Sequence, residues 1–204
     1  MKRVIKSGIV MIILVGLVSN SNADEWQTVT PVDPWYFGLG IGKTVIAVNK
    51  PSLVSGFSSI ATPSSTFNHD DLAFNIYSGY KLDKLLSLEF GLSELGSAIA
   101  TTNGAASKLF NIYTLFFNTT ARHRYNKNAI FFGKIGAHSW SLGSSLNTTH
   151  ATGTDLLLGA GIELNLFKNI NRKIRIEWSH YFFDKVYIDS VDALTINLIF
   201  NYAP

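Results

Sequence analysis

The sequence contains no cysteine, which excludes disulfide staples and all thiolate chemistry. An envelope protein without cysteine suits a barrel, where closure of the sheet takes the place of a staple. Long apolar runs are missing too: outside the N-terminus no stretch approaches the roughly 18 residues of a transmembrane helix. If the chain enters lipid, it must do so as a closed sheet, because lipid cannot satisfy open backbone edges. No phosphate-binding loop and no zinc-ligand spacing is present, so neither cofactor nor metal is expected.

A charge excess is absent as well, once the N-terminus is set aside. Met1 to Ala23 read as a secretory signal peptide. Lys2, Arg3 and Lys6 form its positive region and Ile9 to Val18 its apolar region, while Ser21 and Ala23 supply the small residues of a cleavage site before Asp24. This segment holds three of the 17 basic residues and none of the 14 acidic ones. Cleavage leaves a formally neutral chain, so the sequence pI of 9.0 is no argument for nucleic-acid binding. The expected organisation is a signal peptide (1–23), a periplasmic N-terminal lead (24–34) and one domain (35–204).

What the chain does have is alternation. Eight segments of about ten residues carry apolar side chains at every second position, the signature of transmembrane barrel strands. Trp35 to Val48 sets Phe37, Leu39 and Ile41 against Gly38, Gly40 and Gly42. Leu72 to Leu82 sets Leu72, Phe74, Ile76 and Tyr80 against Asn75, Tyr77 and Lys81; Leu86 to Leu95 sets Leu88, Phe90 and Leu92 against Ser87, Glu89, Gly91 and Ser93. Leu109 to Tyr125 opposes Tyr113, Leu115, Phe117, Ala121 and Tyr125 to Thr114, Asn118, Thr120 and Arg122. Ala129 to Trp140 opposes Phe131, Ile135 and Ala137 to Lys134, Gly136 and His138. In Asp155 to Phe167, Leu156, Leu158, Ala160, Ile162 and Leu164 face away from Gly159, Gly161 and Glu163. Lys173 to Tyr181 opposes Ile174, Ile176 and Trp178 to Arg175, Glu177 and Ser179, and Ala193 to Tyr202 opposes Leu194, Ile196, Leu198, Phe200 and Tyr202 to Thr195, Asn197 and Asn201.

Connections alternate short and long. Asp83-Lys84, Asn126-Lys127-Asn128 and Lys168 to Arg172 are short; Asn49 to Asp71, Ile99 to Lys108, Ser141 to Thr154 and Phe182 to Asp192 are expected as longer loops. Bacterial barrels keep short turns in the periplasm and long loops outside. Phe37, Tyr80, Tyr125, Phe131, Phe200 and Tyr202 share the apolar parity and fall at the short-turn ends, as a periplasmic aromatic girdle would. A soluble lipocalin-like barrel with reversed faces would also alternate. It would leave unexplained the glycines opposite the leucines, whereas inward glycine lets eight strands close tightly.

With lipid on the leucine side, Glu89, Arg122, Lys134, Glu163, Arg175 and Glu177 face the lumen, with His138 at the same parity. Eight strands leave an interior just wide enough for side chains, and unpaired charges there are costly. Glu89–Arg175 and Arg122–Glu163 are the preferred pairs of a network that plugs the lumen or, in the sharper alternative, gates a narrow pore.

Trp35-Tyr36-Phe37-Gly38, Ser87-Leu88-Glu89-Phe90-Gly91, Thr120-Ala121-Arg122, Gly161-Ile162-Glu163 and Arg175-Ile176-Glu177-Trp178, in this order and at one shared parity, make the sequence resemble the transmembrane domain of the outer membrane protein A family. The resemblance implies an all-β fold, an eight-stranded antiparallel transmembrane β-barrel, with an internal salt-bridge network in which Glu89, Arg175, Arg122 and Glu163 take the family's positions. The family's longer members continue into a peptidoglycan-binding domain. This chain stops at Pro204 and so resembles the barrel-only surface proteins. Lys43, Glu94 and His123 carry outward parity and must lie near a rim.

The expected partners are outer-membrane lipid and lipopolysaccharide, plus a host or surface ligand at the Ser-, Thr-, Asn- and Gly-rich loops, with the barrel a monomer. Lipid A modification is the enzymatic alternative. It would need Ser, His and a carboxylate converging on the outer face. The adjacent Ser179 and His180, followed by Asp184, point to opposite faces of a regular strand, so no catalysis is expected. His69-Asp70-Asp71 reads as a polar loop end rather than a metal site.

Overall fold

The computed structural model describes residues 34–143, 151–166, 172–185 and 187–202. The expected signal peptide, nearly all of the expected lead and most of the Lys168–Arg172 turn lie outside the described residues. The elements are β1 (Trp35–Val48), a short helix α1 (Lys50–Gly56), β2 (Thr66–Phe67), β3 (Asp70–Lys81), β4 (Leu86–Thr102), β5 (Ala105–Arg124), β6 (Ala129–Gly143), β7 (Ala151–Leu164), β8 (Arg172–Lys185) and β9 (Ile188–Tyr202).

All strand pairs are antiparallel, and the eight long strands close into a ring. β1 pairs with both β3 and β9, and β4 pairs with β5 to complete the circuit. Leu39 stands opposite Ile76 on one side and Leu198 on the other, so the apolar parity of neighbouring strands lines up on the outside. The two-residue β2 adds to β4 alone. Closure leaves no long edge open, the condition for a sheet to sit in lipid.

Inside, the glycines admit large rings from the next strand. The Tyr36 ring lies across Gly79 and the Tyr77 ring across Gly38, where any Cβ would collide with them. Two tight turns sit where Asp83 and Asn126 mark them. Asp83 Oδ1 accepts from the backbone N–H groups of Leu85 and Leu86, at 2.6 Å each. Asn126 Oδ1 accepts from those of Asn128 and Ala129, at 2.8 and 2.9 Å. These turns, together with Trp35 and Tyr202, define the terminal end of the barrel; the opposite end is the loop end.

At the loop end the structure corrects the expected loops. The Ile99–Lys108 stretch is strand up to a two-residue turn at Asn103-Gly104, both with positive φ (51° and 82°). That conformation matches the right-handed twist of a hairpin. Most of Phe182–Asp192 is likewise paired strand, and β6 and β7 run into the expected Ser141–Thr154 loop. The long Asn49–Asp71 connection does exist, but it carries α1 and β2. Asn49 caps α1 by accepting from Ser52 N at 3.3 Å, with proline in the first turn, an ordinary helix start.

These extensions exist because amphipathicity inverts along the strands. Toward the loop end the inward side chains become apolar: Ile46, Phe110, Ile112, Trp140, Leu142, Phe183 and Val191 are all buried. The outward ones become polar, as at Ser139, Thr152 and Thr154. A strand that leaves the bilayer obeys the rule for water-soluble sheets, apolar side in. α1 closes this section as a dome, with Leu53 fully buried beneath it and Phe57 packed at 6.0 and 5.5 Å from the rings of Phe110 and Tyr187. β4 bends into the dome through a bulge after Glu94. There Gly96 takes φ +87°, and Ser97 N donates to Asp71 Oδ2 at 2.7 Å.

Candidate functional site in the barrel lumen

The lumen is filled by side chains in layers. The charged layer lies toward the terminal end and centres on Arg175, which is fully buried. Its Nη1 lies 2.6 Å from Glu89 Oε1 and 3.5 Å from Glu177 Oε2, and its Nη2 lies 2.7 Å from Glu163 Oε1. Arg122 pairs with Glu163, and Lys134 with Glu177. The structure thus brings Glu89 to Arg175 and Arg122 to Glu163. It also adds two links that parity alone does not reveal, Lys134–Glu177 and the sharing of Arg175 among three carboxylates.

Neutral donors extend the network. Tyr36 Oη donates to Glu89 Oε1 at 2.7 Å, and Ser179 Oγ to Glu177 Oε1 at 2.8 Å. Lys173, not singled out from the sequence, places Nζ 3.6 Å from Glu163 Oε2. Its parity with Arg175 was the available signal. Aromatic faces bracket the central cation: the Arg175 guanidinium lies 4.6 Å from the Phe132 ring centroid and 5.2 Å from that of Tyr77, within cation–π reach. Such contacts count in a low-dielectric interior, since an unpaired buried charge is costly.

His138 belongs to the next layer. Its ring packs at 5.1 Å against both Tyr181 and Phe183, and Nε2 donates to the Phe182 carbonyl at 2.8 Å. Above it begins the apolar core. Trp140 there donates Nε1–H to Asp155 Oδ2 at 2.7 Å.

Outside, the lipid-facing belt runs between two rims. The six residues expected as a girdle all project outward at the terminal end. Phe37 stands opposite Phe200, and Tyr125 packs on Phe131 at 5.8 Å. Tyr80 and Tyr202 both flank Trp35, an outward aromatic missing from the expected set although it shares the parity of Phe37. At the loop-end rim Lys43 and Asp70 form an ion pair of 2.5 Å, and Asp192 Oδ1 accepts from Trp178 Nε1 at 3.1 Å and lies 2.8 Å from His180 Nδ1. Lys43 and Glu94 keep regular register and face outward. His123 stands opposite Phe131 at the terminal rim. Between Tyr202 and Asp192 the strand rises about 33 Å, or about 25 Å after a tilt of about 40°, the height of an outer-membrane apolar band.

The other sequence candidates do not converge. Ser179 points into the lumen and His180 away from it, each bonded to a different carboxylate. His69 Nδ1 lies 3.2 Å from the Ile46 carbonyl, Asp70 pairs with Lys43, and Asp71 accepts from backbone N–H groups.

The sequence matches the model of the OmpA-like transmembrane domain over residues 30–202. No curated protein matches it. Among solved structures, the fold is similar to Neisserial surface protein A, with TM-score 0.59 and 10% identity over 82% of this chain and 97% of that one. It is also similar to the N-terminal β-barrel domain of Pseudomonas aeruginosa OprF, with TM-score 0.50 and 10% identity over 82% and 98%. At such identities the likeness is one of fold.

Proposed function

The chain belongs to the OmpA-like transmembrane domain family and is an outer-membrane β-barrel; from that premise we propose that it is a closed structural barrel that spans the membrane and presents its loop end as an interaction surface. The observation that carries this reading is the filling of the lumen from one end to the other. Below lies the ion network around the fully buried Arg175. Above lies an apolar core sealed by Leu53 and Phe57 of the α1 segment. A pore needs a continuous wet path, and an apolar layer in series with the ion network argues against one. The alternative of a gate in the charge network loses its purpose where the apolar dome lies in series with it.

In this reading the terminal end, with its short turns, faces the periplasm, and the dome faces outward. The partners are outer-membrane lipid, lipopolysaccharide around the belt, and a surface ligand at the loop end. The barrel acts as a monomer, and no catalytic role is assigned, since Ser179 and His180 occupy opposite faces. Single-channel recording of the refolded barrel is the test. The bilayer should stay silent for the parent and also for Glu89→Ala, because the dome is untouched; conductance opened by Glu89→Ala alone would instead establish the gate. Export through a cleaved signal peptide is part of the proposal. N-terminal sequencing of protein recovered from membranes should begin at Asp24, and an intact Met1 would refute that step.

A further inference from the structure

Charge is segregated along the barrel axis. Among the described residues, the terminal end carries Lys81, Lys84, Arg124, Lys127, Arg172 and Lys173 against Asp83. The loop end leans acidic, with Asp70, Asp71, Glu94, Asp155, Asp184, Asp189 and Asp192 against Lys43, Lys50, Lys108 and Lys185. The layer between them balances, three cations against three carboxylates. The barrel is therefore an axial dipole with its positive pole at the turns.

Part of that pole is gathered into the terminal mouth of the lumen. Arg122 and Lys173 both approach Oε2 of Glu163, whose Oε1 is taken by Arg175, so one carboxylate serves three cations. Lys81 Nζ and the Arg122 guanidinium each lie 5.7 Å from the Tyr36 ring centroid. Arg124 follows Arg122 at the same inward parity and is exposed at the strand end. Lys173 and Arg122 have side chains only 12% and 7% exposed, and Arg122 Nε has no hydrogen-bond partner. Crowded cations that are largely withdrawn from water, one of them with an unused donor, are stabilised by an added anion.

We propose that this mouth binds an oxyanion of the phosphate class, held by Arg122 and Lys173 with Arg124 at the entrance. The planar fork of arginine suits phosphate oxygens, and lysine adds a point charge. With the apolar dome at the far end, an anion held at this mouth is retained rather than conducted. Free phosphate and the headgroup of an anionic phospholipid in the adjacent leaflet offer the same chemistry.

Calorimetric titration of inorganic phosphate into the full chain, folded in zwitterionic detergent, tests the proposal. Saturable binding is expected, and Arg124→Gln combined with Lys173→Gln should weaken it roughly tenfold or more. Lys50→Gln with Lys108→Gln, the same charge change at the loop end, should leave it intact. Arg124→Gln alone, at an exposed position, should weaken binding severalfold while the barrel keeps its compact, unheated gel migration. The absence of saturable binding, or equal loss in the loop-end control, overturns the proposal. Repeating the titration in nanodiscs with and without phosphatidylglycerol separates the sources. Phosphate binding lost only with phosphatidylglycerol assigns the mouth to a headgroup; binding unchanged by it assigns the mouth to free phosphate.

Discussion

Arg175→Ala is expected to cost the folded barrel about 3–5 kcal/mol, the usual penalty for breaking a buried ion network by removing one partner. Arg175 touches Glu89, Glu163 and Glu177 at once. After its loss Glu163 keeps Arg122 and Glu177 keeps Lys134, but among the described residues Glu89 retains only the Tyr36 hydroxyl as a hydrogen-bond partner. The orphaned Glu89 therefore carries most of the penalty. Urea-induced unfolding in lipid vesicles measures it, with heat-modifiable gel migration as the readout of the folded state. Arg175→Lys should fall between alanine and the parent, because an ammonium keeps the charge but lacks the fork that spans carboxylates on different strands. Replacing both members, as in Glu89→Gln with Arg175→Met, should recover much of the loss, since an apolar substitute carries no desolvation cost. If Arg175→Ala unfolds within about 1 kcal/mol of the parent, below the range for a broken buried network, the charges contribute nothing to stability.

Ile196→Arg is the second large effect, about 2–4 kcal/mol by the depth dependence of lipid-facing arginine. Ile196 is 58% exposed and lies between Ile41 and Ile176 on the outward face, far from either rim. A guanidinium there has neither water nor a partner. Thr152→Arg, outward on the loop-end section where polar side chains replace the apolar belt, should cost about 0–1 kcal/mol. The pair of measurements reads the membrane border directly. Equal costs at the two positions would place that border elsewhere, and a cost-free Ile196→Arg would mean that this face meets water.

The parity of the strands was legible before any coordinates because a one-residue slip exchanges every side chain between lipid and lumen. That is why Leu88 and Glu89, or Ile174 and Arg175, could be assigned to opposite faces from spacing alone. The Asp83 and Asn126 turns were legible for a local reason: a short polar side chain that caps its own turn leaves its mark within three residues. Two ion pairs could be named because complementary charges shared one face. Lys134–Glu177 and the three-way use of Arg175 could not, since parity says which residues face the lumen but not which of them share a height, and closure of the ring sets that.

Position along the axis was the main thing hidden. Inward Leu142, Phe183 and Val191 look, in a list of letters, like a failing alternation, and so the ends of their strands read as loops. They are regular strand that has left the bilayer, where water takes the place of lipid outside and the apolar side must turn in. Alternation of the sequence by itself determined the two faces of each ribbon, because side chains on a strand have only two directions. Which stretch of ribbon meets lipid, which meets water, and which charges meet each other were decided only when the eight strands closed around one axis, since depth is a property of the ring and not of any strand in it.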